Sequence, residues 1–385
     1  MRKGIIILLA ALLMLGSLSA CGSEKKPDSA GASTKAEDGK MQIVTTIFPE
    51  YDWALNVLGE NPAGAEVTML LDNGVDLHSY QPSAADILKI STCDLFIYIG
   101  GESDTWVKDA LKEATNKNMI VINLMETLGD SVKEEEIVEG MEGHDHDHGE
   151  DADHDHEGEN EHKEDADHDH EGESEHKEDA DHDHEGGSEH KEDADHDHED
   201  GHKGGDIEYD EHIWLSLRNA SAAVKAISDA VRKIDPAHDG VYEKNCTAYQ
   251  EKLKNLDDEF KKVVDGASVK TLLFGDRFPF RYFVDDYGLD YYAAFVGCSA
   301  ETEASFETII FLANKVDELS LHAVMTIEGT DHRIAETIIN NTTAKDAQLM
   351  SMDSMQSASM KDVQNGVTYL TLMEKNLSVL KEALK

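Results

Sequence analysis

An α/β protein of two lobes joined by one long helix is predicted by three observations. Eight short apolar runs recur along the chain, helical periodicities lie between them, and one unusually long amphipathic stretch stands at the centre. In the first half the runs are Gln42–Phe48, Glu66–Leu71, Asp94–Gly100 and Met119–Leu124. In the second half they are Val269–Gly275, Asp290–Val296, His322–Glu328 and Ala347–Met352. Runs this short and this rich in Val, Ile, Leu and Tyr read as strands covered on both faces, hence as two four-stranded, mostly parallel sheets. The central stretch carries Tyr242, Cys246, Tyr249, Leu253, Leu256 and Phe260 at alternating steps of four and three, one face of a helix that begins soon after Pro236 and ends near Gly266. Such a helix is a stiff spacer that limits lobe closure to a small tilt. Leu370, Met373, Leu377, Leu380 and Leu384 repeat the pattern in a last, core-facing helix.

The start of the chain reads differently. Arg2 and Lys3 precede an apolar run from Ile5 to Leu15, too short for a permanent span, so residues 1–20 read as a secretory signal. Leu18-Ser19-Ala20-Cys21 resembles the bacterial lipoprotein box, which implies cleavage before Cys21 and a lipid on it. Residues 21–40 form a polar, flexible tether. The remaining expected divisions are an N-terminal lobe at 41–238, the linking helix at 239–265 and a C-terminal lobe at 266–385. Cys93, Cys246 and Cys298 are odd in number and lack metal-knuckle spacing, so they read as structural thiols, although one pair could be bridged outside the cell.

A tandem repeat interrupts the first lobe at 142–205. "EDADHDHEGESEHK" begins at Glu164, near-copies begin at Glu150 and Glu178, and a truncated copy begins at Glu192, a period of fourteen residues. Residues 142–203 hold 29 acids and 4 lysines, a net of −25 within a chain total of −47. Phosphates would be repelled by this charge, which excludes nucleic acid as a partner and favours cations. Fifteen of the twenty histidines lie here: His144, His146, His148, His154, His156, His162, His168, His170, His176, His182, His184, His190, His196, His198 and His202. Neutral imidazoles are ready ligands, so the tract is expected to hold several weak, nearly equivalent accessory metal sites. A chain that must be ordered around each ion binds less tightly than a preformed cleft.

Ligands of open α/β sheets bind beyond the carboxyl ends of strands. His78 follows the run ending at Leu71, Asp276 and Arg277 follow Gly275, Glu328 follows Ile327, and Asp353 follows Met352. His212 stands in "YDEHIWL" where a helix starts. Imidazole plus carboxylate suits zinc, with manganese next. Asp353 also reads as a helix N-cap, and His238, His322 and His332 as ordinary part-exposed residues. No HExxH, serine elbow or phosphate loop is present, which argues against an enzyme.

"DLHSYQPSAAD", "GGESDTWVKDAL", "EHIWLSLRNA", "YEKNCTAYQEKLKNLD", "RYFVDDYGL", "SAETEAS" and "YLTLMEKNLSVL" occur in that order. Together they resemble the zinc and manganese substrate-binding lipoproteins of bacterial ABC importers (cluster A-I), from about Met41 to the C-terminus. The resemblance implies two lobes on a rigid helix and one Zn²⁺, or alternatively Mn²⁺, in the cleft. It implies a lipid-anchored monomer on the outer face of the cell membrane, delivering to an ABC permease and its ATPase. An extracellular zinc chelator or adhesin without a transport role shares every one of these features. The implied ligands are His78, His212 and the acid Asp353. Where the family usually has His or Glu, this chain has Arg277, which cannot ligate because it stays protonated. Asp276 is the first choice for the missing ligand, with Glu301, Glu303, Cys298, water or a histidine of the tract as alternatives.

Overall fold

A computed structural model describes residues 40–142, 208–299 and 303–385. Cys21, the tether, Glu301 and the fifteen histidines of the tract lie outside the described residues. Among the described residues no helix is long and apolar enough to cross a membrane.

The first half runs β1 (Gln42–Thr45), α1 (Phe48–Leu58), β2 (Glu66–Met69), α2 (Ala84–Thr92), β3 (Leu95–Tyr98), α3 (Val107–Lys112), β4 (Ile120–Asn123) and α4 (Leu124–Leu128). After the insert come α5 (Leu217–Ile234) and α6 (Asp239–Gly266). The second half runs β5 (Thr271–Phe278), α7 (Arg281–Tyr287), β6 (Asp290–Val296), α8 (Phe306–Leu319), β7 (Ala323–Ile327), α9 (Arg333–Asn341), β8 (Gln348–Met352), α10 (Met360–Gln364) and α11 (Tyr369–Ala383). Each expected run contains one strand, except that β5 runs on past Gly275 to Phe278, so Asp276 and Arg277, expected beyond the strand end, lie within it. The sheets are wholly parallel, ordered β2-β1-β3-β4 and β6-β5-β7-β8. Numbered from its own first strand, each half has the order 2-1-3-4. The central strands β1, β3, β5 and β7 are mostly buried, as covered parallel strands must be.

The linking helix α6 has 28 residues, about 42 Å of rod. Its buried stripe is the expected one, with Val264 added. The α11 stripe is centred one residue away from the expected one: Tyr369, Met373, Asn376 and Leu380 are buried, while Leu370 and Leu377 are only partly covered. The reason is polar. Asn376 turns inward because its amide accepts the Asp353 N–H at 2.7 Å and donates to the Asp353 carbonyl at 2.8 Å. α11 packs on α6, α1 and β8, with Tyr369 edge-on to Trp53 at 5.3 Å between ring centres.

The stretch before the insert crosses to the second lobe. Glu142 N–H donates to the Ala294 carbonyl at 2.9 Å beside β6. The return is tied to the departure: Glu135 N–H donates to the Glu208 carbonyl at 2.9 Å, and Asp210 N–H to the Lys133 carbonyl at 2.9 Å. The chain therefore leaves and re-enters at the cleft, and three residues after Tyr209 it reaches His212. Cys93, Cys246 and Cys298 are all free thiols.

Candidate metal-binding site

His78 sits on a 3-10 turn (Leu77–Ser79) beyond β2. Asp76 caps that turn by accepting the His78 N–H at 3.0 Å. The His78 Nδ1 lies 2.8 Å from Ser103 Oγ and 3.5 Å from Glu211 Oε2. His212, fully buried, precedes a second 3-10 turn, Ile213–Leu215. Its Nδ1 lies 3.0 Å from Asp210 Oδ1, which also accepts its backbone N–H at 2.8 Å. A carboxylate only accepts, so Asp210 fixes the His212 proton on Nδ1 and leaves a lone pair on Nε2. The two Nε2 atoms face each other at 3.2 Å. Two lone pairs at that distance repel unless a proton or cation lies between them. Two imidazoles on a tetrahedral zinc stand about 3.3 Å apart, given Zn–N bonds near 2.0–2.1 Å.

Two glycines allow this approach. Gly101, at φ +83°, has no room for a Cβ, which would lie 2.4 Å from Glu211 Oε1. The same carboxyl oxygen accepts the Ser103 N–H at 2.8 Å. A Cβ on Gly297, just past β6, would meet the Phe278 carbonyl at 2.9 Å and the His212 ring at 3.0 Å. The second lobe thus lies directly against the imidazole. Cys298 follows, and among the described residues His78, His212 and Cys298 form a group whose ligand atoms all lie within 4.8 Å of one another. Burial, then the charges of Asp210, Glu135 and Glu211, push the Cys298 thiol up. A half-open cavity of about 690 Å³ adjoins the group and includes Asp76, Arg277 and His332 in its wall.

The other expected ligands are not in that group. Asp276 lines the cavity, but its Oδ2 accepts from Thr330 Oγ at 2.9 Å and Ile327 N–H at 3.3 Å, while Oδ1 accepts the Arg277 N–H at 2.9 Å. The bulge in β5 between Phe274 and Arg277 sets this arrangement. Glu303 is exposed. Asp353 Oδ1 accepts the Met355 N–H at 3.1 Å and Oδ2 pairs with Lys375 at 3.4 Å, local and helix-facing roles. Glu328 is consumed by the Ser354 N–H at 2.6 Å and the Ser354 hydroxyl at 2.8 Å. Arg277 reaches across the cleft to pair with Asp76. Burial alone would raise the Asp76 carboxyl, but Arg277 and His78 hold it below its ordinary value.

Asp210, Glu211 and Ser103 were not singled out by sequence reasoning. The acids immediately before His212 in "YDEH" were the available signal. Behind them lie further buried acids. Burial, opposed by the Gly100 N–H and assisted by Glu211, raises the Asp104 carboxyl to about 7. A folded value above the ordinary 3.8 means the contribution is full below about 3.8 and is lost as pH rises through 7. Metal-free protein should therefore gain up to about 1 kcal/mol from Asp104 between pH 8 and pH 6. Asp104→Asn should flatten the melting-temperature slope over that range, and an unchanged slope would refute the assignment.

The chain matches the family described as "Zinc-uptake complex component A periplasmic" over residues 43–383. It belongs to that family. Relatives of the zinc-uptake component A family include the "Zinc-binding protein AdcA" of Streptococcus pyogenes, 28% identical over 344 residues. That alignment covers 89% of this chain but 56% of the AdcA chain, so this chain spans about half the length of that relative. The "High-affinity zinc uptake system protein ZnuA" of Bacillus subtilis is 25% identical over 382 residues, covering 99% of this chain and 97% of that one. The Zn(II)-bound ZnuA-like domain of Streptococcus pneumoniae AdcA shares the fold, with a TM-score of 0.60, 24% identity, and coverage of 90% of this chain and 99% of that one.

Proposed function

We propose that this protein captures Zn²⁺ outside the cell and hands it to an ABC import permease driven by its ATPase. A lipid on Cys21 holds the protein to the outer face of the membrane, where it works as a monomer. His78 and His212 grip the ion through Nε2, with Asp210, Glu211 and Ser103 orienting the rings. Asp353, the acid implied by family resemblance, belongs to this reading only if it leaves Lys375 on binding. The observation that carries the proposal is the pair of imidazole nitrogens facing each other at 3.2 Å with their other nitrogens already engaged. The zinc-named relatives agree with it. The site holds and releases an ion and carries out no reaction. The histidine tract gathers zinc close to the cleft, because both of its flanking segments are anchored there.

Calorimetric titration tests this. The full chain should show one tight site for Zn²⁺ plus several weaker ones, with Mn²⁺ bound less tightly at the tight site. Deleting residues 144–202 should remove the weak sites alone. A deletion that abolished the tight site would assign its ligands to the tract.

A further inference from the structure

We infer that Cys298 supplies the third ligand, as a thiolate, and that this sulfur makes the site one for a borderline-soft dication rather than for Mn²⁺. The inference rests on the proposed role of His78 and His212 and adds to it a donor outside the histidine-and-carboxylate set. Four observations carry it. Cys298 is the residue whose sulfur joins both imidazoles in one group of ligand atoms. It is a free thiol, so no disulfide removes it. Gly297 has no side chain to separate its strand end from the His212 ring. Asp276, the first choice from sequence, is committed elsewhere, to Thr330 and Ile327.

The geometry needs little change. Zn–S bonds of about 2.3 Å and Zn–N bonds of about 2.0–2.1 Å put sulfur about 3.6 Å from each nitrogen. With all three atoms already within 4.8 Å, the group contracts by no more than about 1 Å, within reach of a side-chain rotation. The ion replaces the thiol proton, which leaves to solvent. The fourth position opens on the cavity and takes water, as in sites that exchange their ligand. Asp210 and Glu211, behind the rings, offset the residual positive charge. Thiolate favours Zn²⁺ over Mn²⁺, which prefers carboxylate and water. Arg277, which costs the site one ligand, also holds the end of β5 against the His78 turn through Asp76.

Cobalt substitution tests the idea on the full chain, because the histidine tract contains no sulfur. Titrated to saturation with Co²⁺, the protein should develop a sulfur-to-cobalt charge-transfer band in the near-ultraviolet beside the visible bands of a tetrahedral ion. Cys298→Ser should lose the near-ultraviolet band and keep weaker visible bands. Its tight Zn²⁺ site should weaken by about 100-fold or more, beyond the roughly 10- to 100-fold that outer-shell changes alone produce. Mn²⁺ affinity should change far less, so the Zn²⁺ to Mn²⁺ preference falls. Tetrahedral visible bands in the wild-type protein without any charge-transfer band would overturn the inference while leaving the histidine pair intact, and this outcome requires no variant to fold. A sulfur-to-cobalt charge-transfer band that survives removal of both His78 and His212 would overturn the histidine reading and this inference with it, since the tract has no sulfur to supply one.

Discussion

Replacing His212 by glutamine removes the tight zinc site. The ring is fully buried and contributes one of the two facing nitrogens, so no solvent-exposed group can swing in to replace it. Loss of an inner ligand should exceed the roughly 10- to 100-fold that outer-shell changes bring, so a loss on the order of 100-fold or more, about 3 kcal/mol, is expected. Glutamine is preferable to alanine because it keeps a polar side chain and most of the volume of the ring in the buried site. Among the described residues, removing the ring N–H leaves the buried Asp210 carboxylate only the backbone N–H of residue 212, which would add about 1 kcal/mol of destabilisation unrelated to metal. Competition against a chromophoric chelator gives the affinity, and metal-free melting reports the fold. His238→Gln is the control, since His238 pairs with Asp235 at the start of the linking helix. An undiminished tight site in folded His212→Gln protein would remove His212 from the site.

Trp214→Ala should be among the most damaging single changes to stability, by about 3–5 kcal/mol. Trp214 is buried and lies against the His212 ring at 5.2 Å between centres. Its indole N–H donates to the Ser354 carbonyl at 2.8 Å, and its own carbonyl accepts the Tyr369 hydroxyl at 2.6 Å. Truncation opens a large cavity where the two lobes meet and orphans the Ser354 carbonyl. Trp214→Phe restores most of the volume and forfeits the hydrogen bond, so it should cost about 1 kcal/mol. Urea unfolding of metal-free protein separates the two. A Trp214→Ala loss below about 1 kcal/mol would mean that the segment is not the keystone its contacts imply.

The fold was legible because burial writes itself into composition. Each parallel strand covered on both faces is an apolar run, and α6 announces itself through about five turns of alternating spacing from Tyr242 to Phe260. His78 and His212, whose rings the fold brings face to face, were singled out by position, beyond a strand end and at a helix start, and by the family resemblance. Cys298, the proposed third ligand, was only one of several alternatives. Whether Asp276 or Cys298 faces the imidazoles depends on a bulge in β5, on Thr330, 54 residues further along the chain, and on a glycine that permits close approach. None of these has a local signature. Arg277 shows the reverse: its inability to ligate is legible, whereas its partner Asp76 lies 201 residues away in sequence. The Asp353 carboxylate sits at the strand end that the resemblance indicates, yet Lys375 and Asn376 of α11 hold that residue, a tertiary competition invisible in either segment.

The bracing of Trp214 fixes when the site can exist during folding. Its two hydrogen bonds join residues 140 and 155 positions apart, and the later partner opens α11, the last helix. Contacts of such long sequence separation form late, because the intervening chain must be closed into a loop first. His212 therefore acquires its rigid backing only once α11 has docked. A chain still emerging, or one whose C-terminal helix has frayed, has the histidines but not the fixed distance between them. On the proposed reading, zinc affinity then reports completion of the fold, and the cleft gains its grip on the ion only when the final helix is in place.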